Sequence, residues 1–109
     1  MDQRLSDVAQ QLLLIERELR ALGWWQAEAP SETDLASTAP FCVDTLAFEQ
    51  WLQWVLLPRM KELIERDQPL PTASGILAMG EVAYREQLEQ VGSLLKVLAE
   101  FDRLLAPEV

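Results

Sequence analysis

The chain has 109 residues, half of them hydrophobic, which suits one globular domain spanning 1–109 and excludes general disorder. Its 18 acidic and 9 basic residues leave a net charge of −9, so direct binding to nucleic acid or to an anionic membrane surface is not expected. With no histidine and a single cysteine, it lacks the commonest general base, the commonest zinc ligand and any internal disulfide.

The start, Met1-Asp2-Gln3-Arg4, is polar with both signs of charge and does not read as a signal peptide. No apolar run approaches the roughly 20 residues that span a bilayer. A cytoplasmic location fits both features and the lone Cys42.

The first helix is predicted over Gln3 to Leu22. Leu5, Val8, Leu12, Ile15, Leu19 and Leu22 recur at alternating steps of 3 and 4, which lines one helix face. Leu13 and Leu14 widen that stripe, so more than one neighbour is expected. Glu16 and Arg20 are spaced for an i,i+4 pair on the outer face. Gly23 stands where a left-handed residue ends a helix. Trp24 and Trp25 come next; adjacent aromatics cannot both face one side, so one is expected buried and one partly exposed.

Residues 26–43 read as a long irregular linker. Pro30, Pro40 and the Ser/Thr/Asp content oppose regular structure. Leu35 suggests a short helical turn midway, and Phe41 and Val43 tack the end onto the core. Glu28, Glu32, Asp34 and Asp44 make residues 23–47 acidic, with no Lys or Arg.

The central helix is predicted to run to about Arg66, with Asp44 or Thr45 as its N-cap. Phe48, Trp51, Leu52, Val55 and Leu56 share one broad face. Trp54 and Leu57 lie nearly opposite, and Glu49, Gln50 and Gln53 form the polar strip. A helix apolar on nearly all sides is buried by several neighbours. Pro58 cannot donate to the Trp54 carbonyl, so a kink or short break is expected there, with helix resuming through Met60, Leu63 and Ile64.

Asp67-Gln68-Pro69-Leu70-Pro71 predicts an extended, rigid crossing. A third helix starts near Ile76, with Ser74 as a candidate cap and Gly80 as a weak point. A last helix is predicted over Leu88 to Ala106, from the spacing of Leu88, Val91, Leu94, Leu95, Leu98, Phe101 and Leu105. Whether residues 81–105 are one bent helix or two is open at this level. The fold class is all-α: a bundle of four to five helices, with the long linker at about 26–43.

No glycine-rich phosphate loop exists, and Glu86 and Glu89 sit at i,i+3 in a polar surface setting. Cys42, beside Phe41, reads as a small buried hydrophobe rather than a nucleophile. No catalytic residue, metal or cofactor is expected. The residues singled out for interaction or a pocket are Trp51, Trp54, Arg59, Met60, Asp44 and Trp25. The tryptophans have two readings, core packing or an exposed binding anchor for Trp54. Asp44 and Arg59 also read as a cap and an ion-pair member.

Pro40-Phe41-Cys42-Val43-Asp44-Thr45, then Trp51-Leu52-Gln53-Trp54 through Pro58-Arg59-Met60, then Gln68-Pro69-Leu70-Pro71 resemble the YqcC-like family of small gammaproteobacterial proteins. The resemblance is most specific over residues 40–81. It departs at Ala78, where the family often carries proline. It implies an all-helical fold and no established enzymatic activity. Family genes often lie beside one for a tRNA pseudouridine synthase, which implies a link to RNA modification. The leading expectation is thus a non-catalytic interaction module with a protein partner, accessory to an RNA-modifying enzyme. The alternative is a binder of a small apolar ligand, in a pocket of Trp51, Trp54 and Met60 at the Pro58 kink. Either is compatible with a homo-oligomer.

Overall fold

The computed structural model describes residues 3–72 and 74–106, and among these it is helical with no strand. Met1 and Asp2 of the polar start lie outside the described residues. In chain order come α1 (Gln3–Ala21), α2 (Glu32–Leu35), a 3-10 turn (Pro40–Cys42) and a central helix over 48–65. The central helix consists of α3 (Phe48–Trp51), a π turn (Leu52–Leu56) and α4 (Leu57–Glu65). The chain finishes with α5 (Ile76–Ala83) and α6 (Gly92–Leu105). α1 packs against both α6 and α4, and α5 against α6.

The heptad-like stripe of α1 does what its spacing requires. Val8, Leu12, Ile15 and Leu19 are buried in one core with Leu94, Leu98, Phe101 and Leu105 of α6. Leu14 packs on the core edge, but Leu13 is 65% exposed, so the stripe is narrower than the sequence implied. The helix ends in a Schellman motif. Gly23, at φ 78°, donates to the Arg20 carbonyl, and Trp24 N–H donates to that of Leu19. The Arg20–Glu16 pair forms at 2.9 Å. At the other end, Arg4 donates through Nε and Nη2 to the carbonyls of Leu104 and Leu105, satisfying the last turn of α6.

The linker is more structured than its composition suggests. Ser31 caps α2 by accepting from Asp34 N–H at 3.1 Å, and Leu35 lies in that short helix as expected. Neither Asp44 nor Thr45 caps the central helix. The chain turns back on the Cys42 carbonyl, which accepts from Thr45 and Leu46 N–H, so helix begins only after Ala47. There the Gln50 side chain reaches back to accept from Ala47 N–H at 2.8 Å. Asp44 instead accepts from Ser37 Oγ, and Thr45 Oγ1 donates to the Asp34 carbonyl.

The irregularity expected at Pro58 is a widened turn just before it. Leu57 N–H donates five residues back to the Leu52 carbonyl, and Pro58, which has no N–H to donate, follows directly at the start of α4. The inserted residue rotates the remainder of the helix, so Leu56, Leu57 and Met60 are all buried. That overturns the placement of Leu57 opposite Leu52 and Leu56.

Residues 81–105 resolve into two helices. α5 stops at Ala83, and a run of turns leads to Gly92, the first residue of α6. Leu88, counted in the last helical stripe, lies in those turns and is 47% exposed. Gly80 is a point of close approach between α5 and α6. A Cβ there would meet Leu95 Cδ2 and Leu98 Cδ1 at 3.2 Å. Ser74 is not the cap of α5. Its hydroxyl donates to Asp102 of α6, and Asp102 accepts from Leu77 N–H at 2.9 Å and Ile76 N–H at 3.4 Å. A carboxylate from the neighbouring helix thus caps α5.

Candidate functional site

The central helix, the 37–42 segment and the proline-rich crossing enclose an open groove of about 630 Å³. Trp51, Val55, Leu56, Met60 and Leu63 come from the helix; Phe41 and Cys42 from the 3-10 turn; and Pro69, Leu70 and Pro71 from the crossing. The helix supplies this side because the π turn lets Trp51, Val55 and Met60 look the same way. The prolines hold the opposite side extended. The volume is within the range of ordinary ligand sites.

An aromatic row leads into the groove. Trp24 packs on Tyr84 at 5.2 Å, Tyr84 on Phe48 at 5.9 Å, and Phe48 stacks on Trp51 at 5.8 Å. Phe41 then meets Trp51 edge-on at 4.9 Å. Phe41 and Cys42 are both in the left-handed region, at φ 57° and 49°. Such backbone costs about 1–2 kcal/mol per non-glycine residue. The burial of Cys42 and the ring contacts of Phe41 hold it in place.

The six residues singled out in the sequence separate here. Trp51, Arg59 and Met60 line the groove together. Asp44 stands outside, bonded to Ser37, which lines it. Trp54 is half-buried elsewhere, its indole Nε1–H donating to Gln26 Oε1 at 3.2 Å. Trp25 lies beneath the Arg20 guanidinium, 4.7 Å from the ring centroid. Neither Trp24 nor Trp25 is fully buried, contrary to the expected division between them. Arg59 is exposed and makes no ion pair or side-chain hydrogen bond among the described residues.

Gln53 is a residue that helical spacing misplaces. It belongs to the polar strip by projection, yet it is 4% exposed and bonds in both directions to the Gln26 backbone. Phe41 is a groove residue that spacing does not reveal, although it falls within the segment resembling a known family. Tyr84 is buried and donates to Glu49 Oε1 at 3.0 Å; burial first, then the Glu49 charge, raises its phenol above the ordinary range. No group of three or more Cys, Asp or Glu able to hold a metal occurs among the described residues.

Comparison with known proteins places this architecture. A family model, DUF446, described as tRNA pseudouridine synthase C, matches residues 7–104. The chain belongs to this YqcC-like family. It is 37% identical over 98 residues to "Uncharacterized protein YqcC" of Escherichia coli strain K12, covering 90% of each chain. The solution NMR structure of that protein superposes with a TM-score of 0.85 at 35% identity, over 97% of this chain and 91% of that one. A third similarity joins the chain to a named enzyme. Over 68 residues it is 47% identical to part of a "tRNA pseudouridine synthase C" of Pectobacterium carotovorum subsp. carotovorum. The match takes in 62% of this chain but 18% of that protein. Among the described residues, no helix is long and apolar enough to cross a membrane.

Proposed function

We propose that this chain is a non-catalytic accessory module for an enzyme that forms pseudouridine in tRNA. The observation that carries this is the 68-residue match inside a protein named tRNA pseudouridine synthase C, of which it makes up 18%. A segment like this chain thus shares a polypeptide with a much larger remainder, which leaves room for a separate catalytic domain. Two units joined in one chain act at high effective concentration on each other, and a free-standing copy would meet its partner through a surface.

Support for a non-catalytic role comes from the groove lining. Its described residues offer Arg59, the hydroxyls of Ser37 and Ser74 and a buried thiol, and among them is no carboxylate or imidazole to serve as a general base. The charge of −9 supports contact with the enzyme rather than with its RNA. Such a role places the chain in the cytoplasm, where the buried thiol of Cys42 stays reduced.

The test mixes the purified chain with the free-standing synthase from the same source. A complex by sedimentation, and a changed rate of tRNA pseudouridylation, are expected. No association at micromolar concentration and an unchanged rate would overturn the assignment. A second reading, a small apolar ligand in the groove beside the π turn, is favoured by the 630 Å³ volume. It is tested by fragment titration followed at the Trp51 indole resonance.

A further inference from the structure

We propose that the groove docks an apolar peptide segment of a partner protein, and that this segment places one carboxylate on Arg59. This rests on the chain being an interaction module, but not on the synthase being the partner. The main observation is a local inversion of charge. In a chain with twice as many acids as bases, the described groove lining holds one charged side chain, and it is an arginine. Four other surface arginines are matched: Arg17 with Glu18, Arg20 with Glu16, Arg66 with Glu62, and Arg103 with Glu100. Arg59 has no such partner among the described residues, and it stands at the rim of an apolar surface. Arg85 also lacks an ion pair there, but it sits in the turns after α5 with Glu86 beside it in sequence.

The acids bonded to groove residues are already engaged. Asp44 takes the Ser37 hydroxyl, and Asp102 takes the Ser74 hydroxyl and caps α5. Both serines line the groove, so the two hydroxyl protons are committed to carboxylates outside it. What remains is hydrophobic contact plus one planar cationic fork. A guanidinium matches a carboxylate with two parallel bonds.

The surface is also preorganised. Trp51 is stacked on Phe48 and braced by Phe41, and two prolines hold the far side. A rigid aromatic anchor loses little freedom on binding, which is the usual character of an interface hot spot. An open apolar groove suits a laid-in helix or extended segment. A phosphate polyanion is disfavoured, because one arginine cannot offset the repulsion from the rest of the chain.

The test selects a displayed library of random short peptides on the full chain and, in parallel, on the Arg59→Glu variant. Arg59 is exposed, so the variant should fold as the parent does. The parent pool should combine apolar positions with Asp or Glu, and the variant pool should replace the acid with Lys or Arg. A parent-selected peptide should bind Arg59→Glu about tenfold more weakly or worse. It should shift the indole resonance of Trp51 and leave that of Trp54 in place. No enrichment, identical pools from both baits, or shifts centred on Trp54 would each overturn the proposal. None of these outcomes depends on the synthase, so failure of the accessory role is scored separately.

Discussion

Gln53 and Gln26 exchange two hydrogen bonds across 27 positions of sequence. Gln26 N–H donates to Gln53 Oε1 at 2.8 Å, and Gln53 Nε2 donates to the Gln26 carbonyl at 2.7 Å. A side-chain amide here does what a neighbouring β-strand does elsewhere, satisfying both backbone groups of one residue. The Gln26 side chain returns the contact, with Oε1 accepting from Trp54 Nε1 and from Gln50 Nε2 at 3.4 Å. The segment after α1 is thereby fixed to the central helix at the π turn. Gln53→Met keeps length and volume but removes donor and acceptor together. Leaving two part-buried backbone groups unpaired costs about 2–3 kcal/mol. Urea melts should show a lower midpoint with an unchanged slope; an unshifted midpoint would refute the role given to Gln53.

Asp102 ties the last two helices in a similar way. Its carboxylate receives N–H groups from Ile76 and Leu77 at the start of α5. Asp102→Ala should cost about 1–2 kcal/mol, as for loss of an N-cap. Asp102→Asn keeps an acceptor and loses the charge facing the positive end of the helix, so about 0.3–1 kcal/mol is expected. Hydrogen exchange at Leu77 should accelerate in the order Asn, then Ala. Equal protection in all three proteins would mean that the cap adds nothing.

Much of the fold was legible because packing obeys periodicity. Val8, Leu12, Ile15 and Leu19 could only form a helical stripe, and they do. Each feature that escaped the sequence has a physical cause. Asp44 has the chemistry of a cap, but a turn on the Cys42 carbonyl spends the intervening residues. Gln53 looks solvated in any α-helical projection. Its burial depends on a chain segment 27 residues away that needs a partner. The π turn adds a residue that no fixed angular step anticipates, which moved Leu57 inward. In the groove, Trp51 and Met60 stand together with Arg59 because the turn before Pro58 is widened, whereas Trp54, expected beside them at the kink, lies outside it. Phe41 and Leu70 were not placed with them, since their approach depends on left-handed backbone and a crossing whose path sequence does not specify.

Tyr84 gives a pH test with its own optical reporter, since it is the only tyrosine in the chain. Its folded pKa is raised by burial and by Glu49. The unfolded chain therefore releases the phenolic proton first. The contribution of Tyr84 is fully present below about pH 10, the unfolded value, and declines above it. The decline approaches about 1.4 kcal/mol per pH unit for one proton. Absorbance should show no phenolate in the folded protein near pH 10, with phenolate appearing only as the chain unfolds. Tyr84→Phe should lose that part of the alkaline slope. A phenol titrating normally in folded protein would contradict the buried Tyr84–Glu49 bond.

Trp51 and Trp54 are both half-buried, so depth alone does not distinguish them. Their partners do. Trp51 lies between the Phe48 face and the Phe41 edge and packs on the core, whereas the clearest bond of Trp54 is its indole N–H to Gln26. Trp51→Ala removes two aromatic pairs and part of a large side chain, and should cost about 2–4 kcal/mol. Trp54→Phe keeps most of the apolar contact and deletes one hydrogen bond, so about 1 kcal/mol is expected. The two also differ in binding. Trp51→Leu should weaken a groove-selected peptide severalfold while retaining a folded chain, and Trp54→Phe should leave its affinity unchanged. Stability melts and peptide titrations on the same preparations separate the cases. A loss of affinity in Trp54→Phe equal to that in Trp51→Leu would move the binding surface off the groove and onto the face that holds Gln26.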